Sequence, residues 1–331
     1  LAEWLIEAGI GETRAALVED GVILEAEIEL EDSRPRAGAI VPARLIRQLI
    51  PGRRGIVALE GGGEALLEPI PSGVTEGASL MVEIVREAIP EAGRAKLAKA
   101  RGAEGDPAPG PTLAERLATS GFLIVQLTSH GPDRLEAAGW SELIEEAATG
   151  EIAFPGGALR LSLTPAMALI DVDGPLPPAE LAVAGARAAG LAIRRLGLAG
   201  SIGIDLPTVG SKAERQAAAA AFDAVLPQPF ERTAVNGFGF LQLVRRRSRV
   251  SLPELLQGDP AGAAARALLR RAERTPGAGQ RTLVAAPAVI ARIEVHPDRQ
   301  AALARRIGAA VALRTDPTLA ISAAHVETEY P

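Results

Sequence analysis

Ala168-Leu169-Ile170-Asp171-Val172-Asp173-Gly174 and Ser201-Ile202-Gly203-Ile204-Asp205-Leu206 are two short apolar runs, each closing on an Ile-Asp pair. Between them, Pro178 to Arg195 places Leu181, Val183, Ala184, Ala188, Leu191, Ala192 and Ile193 at helical spacing. The segment from Arg160 to Leu206 therefore predicts strand, tight turn, helix, strand. A unit of this length joins two parallel strands through a crossover helix. Parallel strands bring their carboxyl ends to one edge, so Asp171 and Asp205 are expected together where open α/β sheets keep their sites. Two adjacent carboxylates repel each other unless a cation or a shared proton intervenes. A hard divalent ion answers that requirement, and magnesium usually takes one or two carboxylates plus the phosphates of its substrate. Aspartates at strand ends also serve as helix caps and turn formers, and Asp173-Gly174 before Pro175 has ordinary turn chemistry. Spacing alone leaves both readings open.

The bulk properties narrow the field. A chain of 331 residues accommodates two or three domains with ample core, and 47% apolar content marks it as globular. It has no cysteine, which excludes disulfides, thiolate zinc sites and thiol nucleophiles. Its three histidines, His130, His296 and His325, are too scattered to suggest a histidine metal centre. No apolar run reaches the ~20 residues of a membrane span; the longest, around Leu181 to Ile204, is broken by Arg187, Arg194 and Arg195. The amino terminus shows no basic start or signal-like core, so the cytoplasm is the expected compartment. A net charge of −6 argues against a tight non-specific grip on nucleic acid by the whole surface, but not against a local basic groove.

Outward from the central stretch, the amino-terminal segment predicts strands at Trp4 to Ala8, Thr13 to Val18 and Val22 to Ile28, with Asp20-Gly21 as a hairpin turn. Ala39 to Val41, Ile56 to Leu59, Glu64 to Leu67 and Leu80 to Val85 are short strands separated by glycine- and proline-rich turns. That pattern suggests a small barrel of the OB type, a nucleic-acid platform when aromatics line it. Val57 and Leu67 stand at candidate strand positions where no aromatic appears. Arg94, Lys96, Lys99 and Arg101 form a basic stretch, read either as a solvated helix end or as an RNA contact, and Gly102 to Pro111 has linker composition. Helix, strand (Phe122 to Leu127) and helix (Trp140 to Ala148) are expected between Leu113 and Gly150. Beyond the central stretch come a helix at Ala213 to Leu226 and a buried strand at Phe238 to Val244. That strand runs into Arg245-Arg246-Arg247-Ser248-Arg249, either a phosphate fork or a solvated basic loop. Helices at Ala263 to Arg274 and Asp298 to Ile307, with short apolar runs at Thr282 to Ala285, Val311 to Leu313 and Ala320 to Ser322, suggest a small α/β module.

Taken in order, these pieces resemble the ribonuclease E/G family, the magnesium-dependent endoribonucleases of bacteria. Trp4-Leu5-Ile6 through Ala16 to Gly21 is similar to the family's opening strands, and the barrel falls where the family inserts its RNA-binding OB-type domain. Phe154-Pro155-Gly156-Gly157 followed by Ala168 to Gly174 resembles the strand pair carrying the first catalytic aspartate. Leu198 to Asp205 resembles the segment carrying the second. Gly237-Phe238-Gly239-Phe240-Leu241 with Arg245 to Arg247 is similar to the family's phenylalanine-glycine strand and its arginines. Leu283 to Ile290 and Ala320 to Val326 look like its small carboxy-terminal domain. The chain departs from the family in several places. The connection between the aspartates is short, Gly174 to Pro178 replaces a charged loop, and Asp173 stands where the family has asparagine. Val57 and Leu67 replace barrel aromatics. No arginine-threonine pair for a 5′ phosphate is found between Leu113 and Gly150, and the zinc-link cysteines are absent.

The expected fold class is α/β in the multi-domain α+β sense. It comprises amino-terminal strands over 1–36, an OB-like barrel over 37–100, a linker over 101–112, a catalytic α/β core over 113–252 and a small α/β domain over 253–331. The expected function is Mg²⁺-dependent hydrolysis of single-stranded RNA. Asp171 and Asp205 would hold the metal and Asp173 would orient a water. Arg245, Arg247, Arg249, Lys96 and Lys99 would contact RNA; Arg246 would alternate away on an extended strand. No membrane partner is expected, and any oligomer would not be zinc-linked. The alternative is a catalytically weak or silent RNA-binding accessory protein; a small-molecule phosphatase has only the metal logic behind it.

Overall fold

The computed structural model describes residues 1–32, 34–90 and 95–328. In chain order, β1 (Glu3–Ala8), β2 (Glu12–Glu19) and β3 (Val22–Leu30) are followed by β4 (Ile40–Ile50), β5 (Arg54–Leu59), β6 (Glu64–Leu67), β7 (Ser79–Arg86) and β8 (Ala98–Gly102). Next come α1 (Leu113–Ala118), β9 (Leu123–Leu127), α2 (Arg134–Ala137) and α3 (Trp140–Thr149). The central region holds β10 (Glu151–Phe154), β11 (Gly157–Leu163), β12 (Ala168–Asp173), α4 (Pro178–Arg195), β13 (Gly200–Asp205), α5 (Lys212–Asp223), β14 (Glu231–Arg232) and β15 (Phe240–Arg245). It is followed by α6 (Leu252–Gly258), α7 (Pro260–Arg274), β16 (Arg281–Ala285), α8 (Pro287–Glu294), α9 (Pro297–Ile307), β17 (Val311–Thr315) and β18 (His325–Thr328). The protein mixes α and β structure, with open sheets and one closed five-stranded barrel. No helix among the described residues is long and apolar enough to cross a membrane.

The chain forms two compact units, one from Leu1–Asp32, Gly121–Ser141 and Asp259–Pro331, the other from Ser33–Ser120 and Glu142–Gly258. In the first unit a sheet of order β3-β2-β1-β9 is antiparallel except for the β1–β9 pair. Asp20 and Gly21 both have positive φ (50° and 79°), the conformation a two-residue hairpin needs to match strand twist. A smaller sheet of order β17-β16-β18 shares a core with α7, α8 and α9 through Leu268, Leu283, Val289 and Leu303. Buried charge is the unusual feature of this unit. Arg14 is only 1% exposed. Its Nε donates to Glu7 Oε2 at 2.6 Å, its Nη2 reaches Asp133 Oδ2 at 2.8 Å, and its guanidinium lies 5.3 Å from the centre of the Trp140 ring. Glu12 likewise receives Arg266 and Arg270.

The second unit contains the barrel, closed in the order β4-β5-β6-β8-β7, with β6 and β8 its one parallel pair. Its interior is aliphatic: Leu45, Val57, Leu67, Val82 and Ile84 have no exposed surface. Val57 and Leu67 are therefore core residues, not members of an outer face. The basic stretch is strand, not helix end: Lys99 and Arg101 lie in β8, and Arg94 lies outside the described residues. β4 extends well past Val41: Ala43 and Leu45 alternate with exposed Arg44, and beyond them the strand runs to Ile50 through register shifts at Leu45/Arg47 and Gln48/Ile50 in its pairing with β5.

The unit's second sheet has the order β10-β11-β12-β13-β15-β14 and is antiparallel except between β12 and β13. Crossover helix α4 covers one face. Ile170 and Val172 point to it, and Gly185 comes so close that an added Cβ would lie 2.3 Å from Val172 Cγ1. Phe222 of α5 is fully buried and Leu226 nearly so, as the inward-facing pattern predicts. Two expected boundaries change. β15 starts at Phe240, leaving Phe238 in the preceding turn, 83% exposed rather than buried. Ile321–Ala323 is a 3-10 turn, and the strand of that region is β18.

Candidate functional site

Along β12, Ile170 and Val172 are buried while Asp171 and Asp173 are exposed, the alternation of a strand with one covered face. In β13, Ile202 and Ile204 face the helices and Asp205 faces out. The parallel register sets Asp171 directly opposite Asp205. Strands at ladder spacing are about 4.8 Å apart, so both carboxylates reach one small volume in front of the sheet.

The register extends this into a transverse row. Arg160 of β11 pairs with Asp171, Glu151 of β10 with Arg160, and Phe240 of β15 with Asp205. Cross-strand partners point to the same face. Glu151, Arg160, Asp171, Asp205 and Phe240 thus lie side by side on the face that α4 leaves open. Arg160 makes an exposed ion pair with Glu151 at 3.3 Å. The Phe240 ring lies against the backbone of Gly203, where an added Cβ would meet its Cζ at 2.4 Å. Glycine at 203 lets that ring lie flat on the sheet beside Asp205.

The capping alternative can be judged from the helix ends. The N-cap of α4 is Pro177, with no side-chain cap bond, and the N-cap of α5 is Ser211, in a capping box with Glu214. None of Asp171, Asp173 and Asp205 caps a following helix. Asp171 and Asp205 make no ion pair or side-chain hydrogen bond among the described residues. Two neighbouring carboxylates with no protein cation between them fit a hard divalent ion. Asp173 shares their face two residues further along β12, opposite Ala158. Among the described residues no three His, Asp or Glu side chains converge as a ready-made metal cluster, so a metal here would depend on water and substrate oxygens for the rest of its shell.

The structure places the expected basic residues elsewhere. β15 runs antiparallel to β13, so Arg245 stands opposite Gly200, five residues and about 16 Å along the strand from Asp205. Arg245 donates to Leu198 O at 3.0 Å, and Arg247 pairs with Glu254, both largely buried. Arg246 is exposed, and Arg249 follows in the half-buried loop. Lys96 donates to Pro165 O at 2.9 Å, at the end of the β11–β12 hairpin remote from Asp171. Lys99 is half-buried on β8, near Glu68, whose carboxyl is held below the usual range chiefly by the hydrogen bond from Arg54, with the charge of Lys99 adding to it. Neither Arg245 nor Lys96 shares the aspartates' end of the strands. Sequence reasoning missed Arg160, Phe238 and Phe240 as site neighbours. The alternation of buried Leu159 and Leu161 with exposed Arg160 and Ser162 held the signal for the first.

No protein-family model matches the chain, and no curated protein matches it significantly.

Proposed function

We propose that this protein is a metal-dependent endoribonuclease acting on single-stranded RNA in the cytoplasm. The observation that carries the reading is the register pairing of Asp171 with Asp205 on an open sheet face, exposed and capping nothing. In this reading both carboxylates would hold one Mg²⁺. Such an ion would supply Lewis-acid chemistry toward phosphoryl oxygens and a bound water of lowered pKa. Asp171 and Asp205 set the position of that centre. Asp173, further along the same face, would orient a water beside that centre. Arg160, beside Asp171, offsets the charge that builds up on the phosphate in the transition state.

The barrel supports the same reading. Its order, first-second-third-fifth-fourth strand with the third and fifth parallel, is that of OB folds, which bind oligonucleotides across their second and third strands. We read it as the RNA-holding domain, with Lys99 as an outer-face contact. Arg245, Arg247 and Arg249 stiffen the far end of the sheet, while exposed Arg246 is placed to meet backbone phosphates distant from the cut. Single strands suit an open face because their bases can splay.

A catalytically silent RNA-binding accessory protein is the second reading, favoured by the absence of a third converging carboxylate among the described residues. Cleavage of a fluorescent single-stranded RNA separates the two. Wild-type protein should cut it with Mg²⁺ and not with EDTA, and Asp171→Asn and Asp205→Asn should each remove cleavage while leaving the fold intact. Activity persisting in both variants would overturn the assignment; RNA binding without any cleavage would establish the accessory role.

A further inference from the structure

Among the described residues Phe238 is the most exposed large apolar side chain after Leu1, at 83%. An exposed phenylalanine on a floppy loop would mean little, but this one sits on a built turn. Asn236 Oδ1 accepts from Phe238 N at 2.9 Å and from Phe240 N at 3.0 Å. Thr208 Oγ1 donates to Phe238 O at 3.1 Å, and Leu206 N donates to Gly239 O at 3.2 Å. Gly239 has φ +91°, and an added Cβ would lie 2.1 Å from Leu206 O. Only glycine allows the two backbones to approach so closely. The turn is thereby stapled to the residues that immediately follow Asp205, and Phe238 stands just beyond the Asp205–Phe240 pair. The sheet's open face thus has the carboxylate pair at its centre and one aromatic lying flat next to it, and the turn leading into that strand carries a second, exposed aromatic.

A hydrophobic ring kept in water forgoes the free energy of burial, and the hydrogen-bonded backbone of its turn shows that it is held out rather than left loose. Aromatic side chains so placed serve single-stranded nucleic acids as stacking platforms, because every base has a π-face. The carboxylate pair one register step away favours this occupant over an apolar protein partner, since a strand whose phosphate reaches Asp171 and Asp205 has its neighbouring nucleotides within reach of this turn.

Building on the ribonuclease reading above, we infer that Phe238 is the stacking platform for a nucleobase adjoining the phosphate held at Asp171 and Asp205, with Phe240 as the floor beside it. Phe238 positions the strand and takes no part in the chemistry.

The test measures stopped-flow fluorescence anisotropy of a labelled single-stranded RNA in Mg²⁺, read before cleavage accumulates, and then cleavage in the same buffer. Phe238→Ala should weaken RNA binding about 5- to 140-fold, the range for loss of one base–aromatic stack. It should leave affinity for a ribose-phosphate strand lacking that base unchanged, and Phe238→Trp should restore binding with quenched tryptophan emission. Equal RNA affinity for wild type and Phe238→Ala, with the wild type still cutting RNA, would overturn the stacking role and leave the nuclease reading standing. A wild type that neither binds nor cuts RNA would overturn both. Conversion of a dimer to a monomer by Phe238→Ala, with RNA affinity unchanged, would show the ring to be a contact between copies and would also overturn the proposal.

Discussion

Arg160 is the cross-strand partner of Asp171 and stands on the same open face of the sheet. A fixed cation one strand from a carboxylate pair can stabilise negative charge on a bound phosphate, although solvent screens it because its side chain is 62% exposed. Arg160→Gln is expected to lower kcat/KM for RNA cleavage by about tenfold with little change in melting temperature. The Lys variant should recover part of that loss, because it keeps the charge without the planar fork. Steady-state kinetics of the three proteins test this. No change in kcat/KM would remove Arg160 from the site.

The barrel interior gives a second prediction. Val57 is fully buried among Leu45, Leu67 and Ile84. Val57→Phe should therefore overpack the core and cost about 1–3 kcal/mol instead of creating a base-stacking surface. Urea unfolding should show the loss, and RNA affinity should not improve.

Sequence patterning carried a great deal of this structure where a local period and a clear stop signal coincided. The apolar runs around Asp171 and Asp205, with Pro178 opening the helix between them, fix a parallel pair whose register brings the two carboxylates together. What the sequence concealed came from antiparallel return. Arg245 follows Phe240 closely in the chain, yet the direction of β15 carries it to the opposite end of the sheet from Asp205. Val57 illustrates a different limit: period-2 alternation tells which residues share a face, not which face is inside. The exposure of Phe238 was hidden by an apolar run that reads as continuous strand, because the glycine that breaks it, Gly239, acts through its positive φ and its close approach to Leu206.

The buried ion network of the first unit makes stability depend on charge. Arg14 lies between Glu7 and Asp133, with Arg274 also bonded to Glu7 at 3.1 Å through Nε. Arg14→Ala strips a buried carboxylate of one partner and should cost about 3–5 kcal/mol, whereas Arg14→Met combined with Glu7→Gln should cost clearly less because no charge is stranded. Denaturant midpoints of the two proteins check the ordering. The reverse order would show that packing against Trp140, rather than charge, dominates at this position.

Asp133 sets the acid limb of the same network. Partial burial pushes its carboxyl up, but the hydrogen bond from Glu136 N and the guanidinium groups of Arg14 and Arg274 outweigh this, so its pKa falls below the ordinary 3.8. A carboxylate with a depressed folded pKa contributes stability that is present above the unfolded value and lost as pH falls through the folded one. The wild type should lose stability progressively as pH drops below about 4. Asp133→Asn keeps a side chain able to cap α2 but has nothing to titrate, so its stability should be lower near neutrality and should decline less on acidification. Urea titrations at pH 7 and at pH 3.5 provide the comparison, and parallel declines in both proteins would exclude Asp133 as the source.

Gly185 connects packing to the carboxylate pair. Its Cα faces Val172, the residue between Asp171 and Asp173, and an added Cβ would sit 2.3 Å from Val172 Cγ1. Gly190, further along the same helix, faces Val225 instead, where an added Cβ would lie 2.7 Å from Cγ2. Both alanine substitutions overpack α4 and should destabilise the protein by about 1–3 kcal/mol. Only Gly185→Ala pushes on β12, and misplacement of a catalytic group by an ångström can cost on the order of a hundredfold in rate. Cleavage rates measured well below the melting temperature should therefore fall steeply in Gly185→Ala and little in Gly190→Ala, although the two variants lose similar stability. Equal rates in the two would mean that the strand carrying Asp171 and Asp173 absorbs the added methyl without moving its carboxylates.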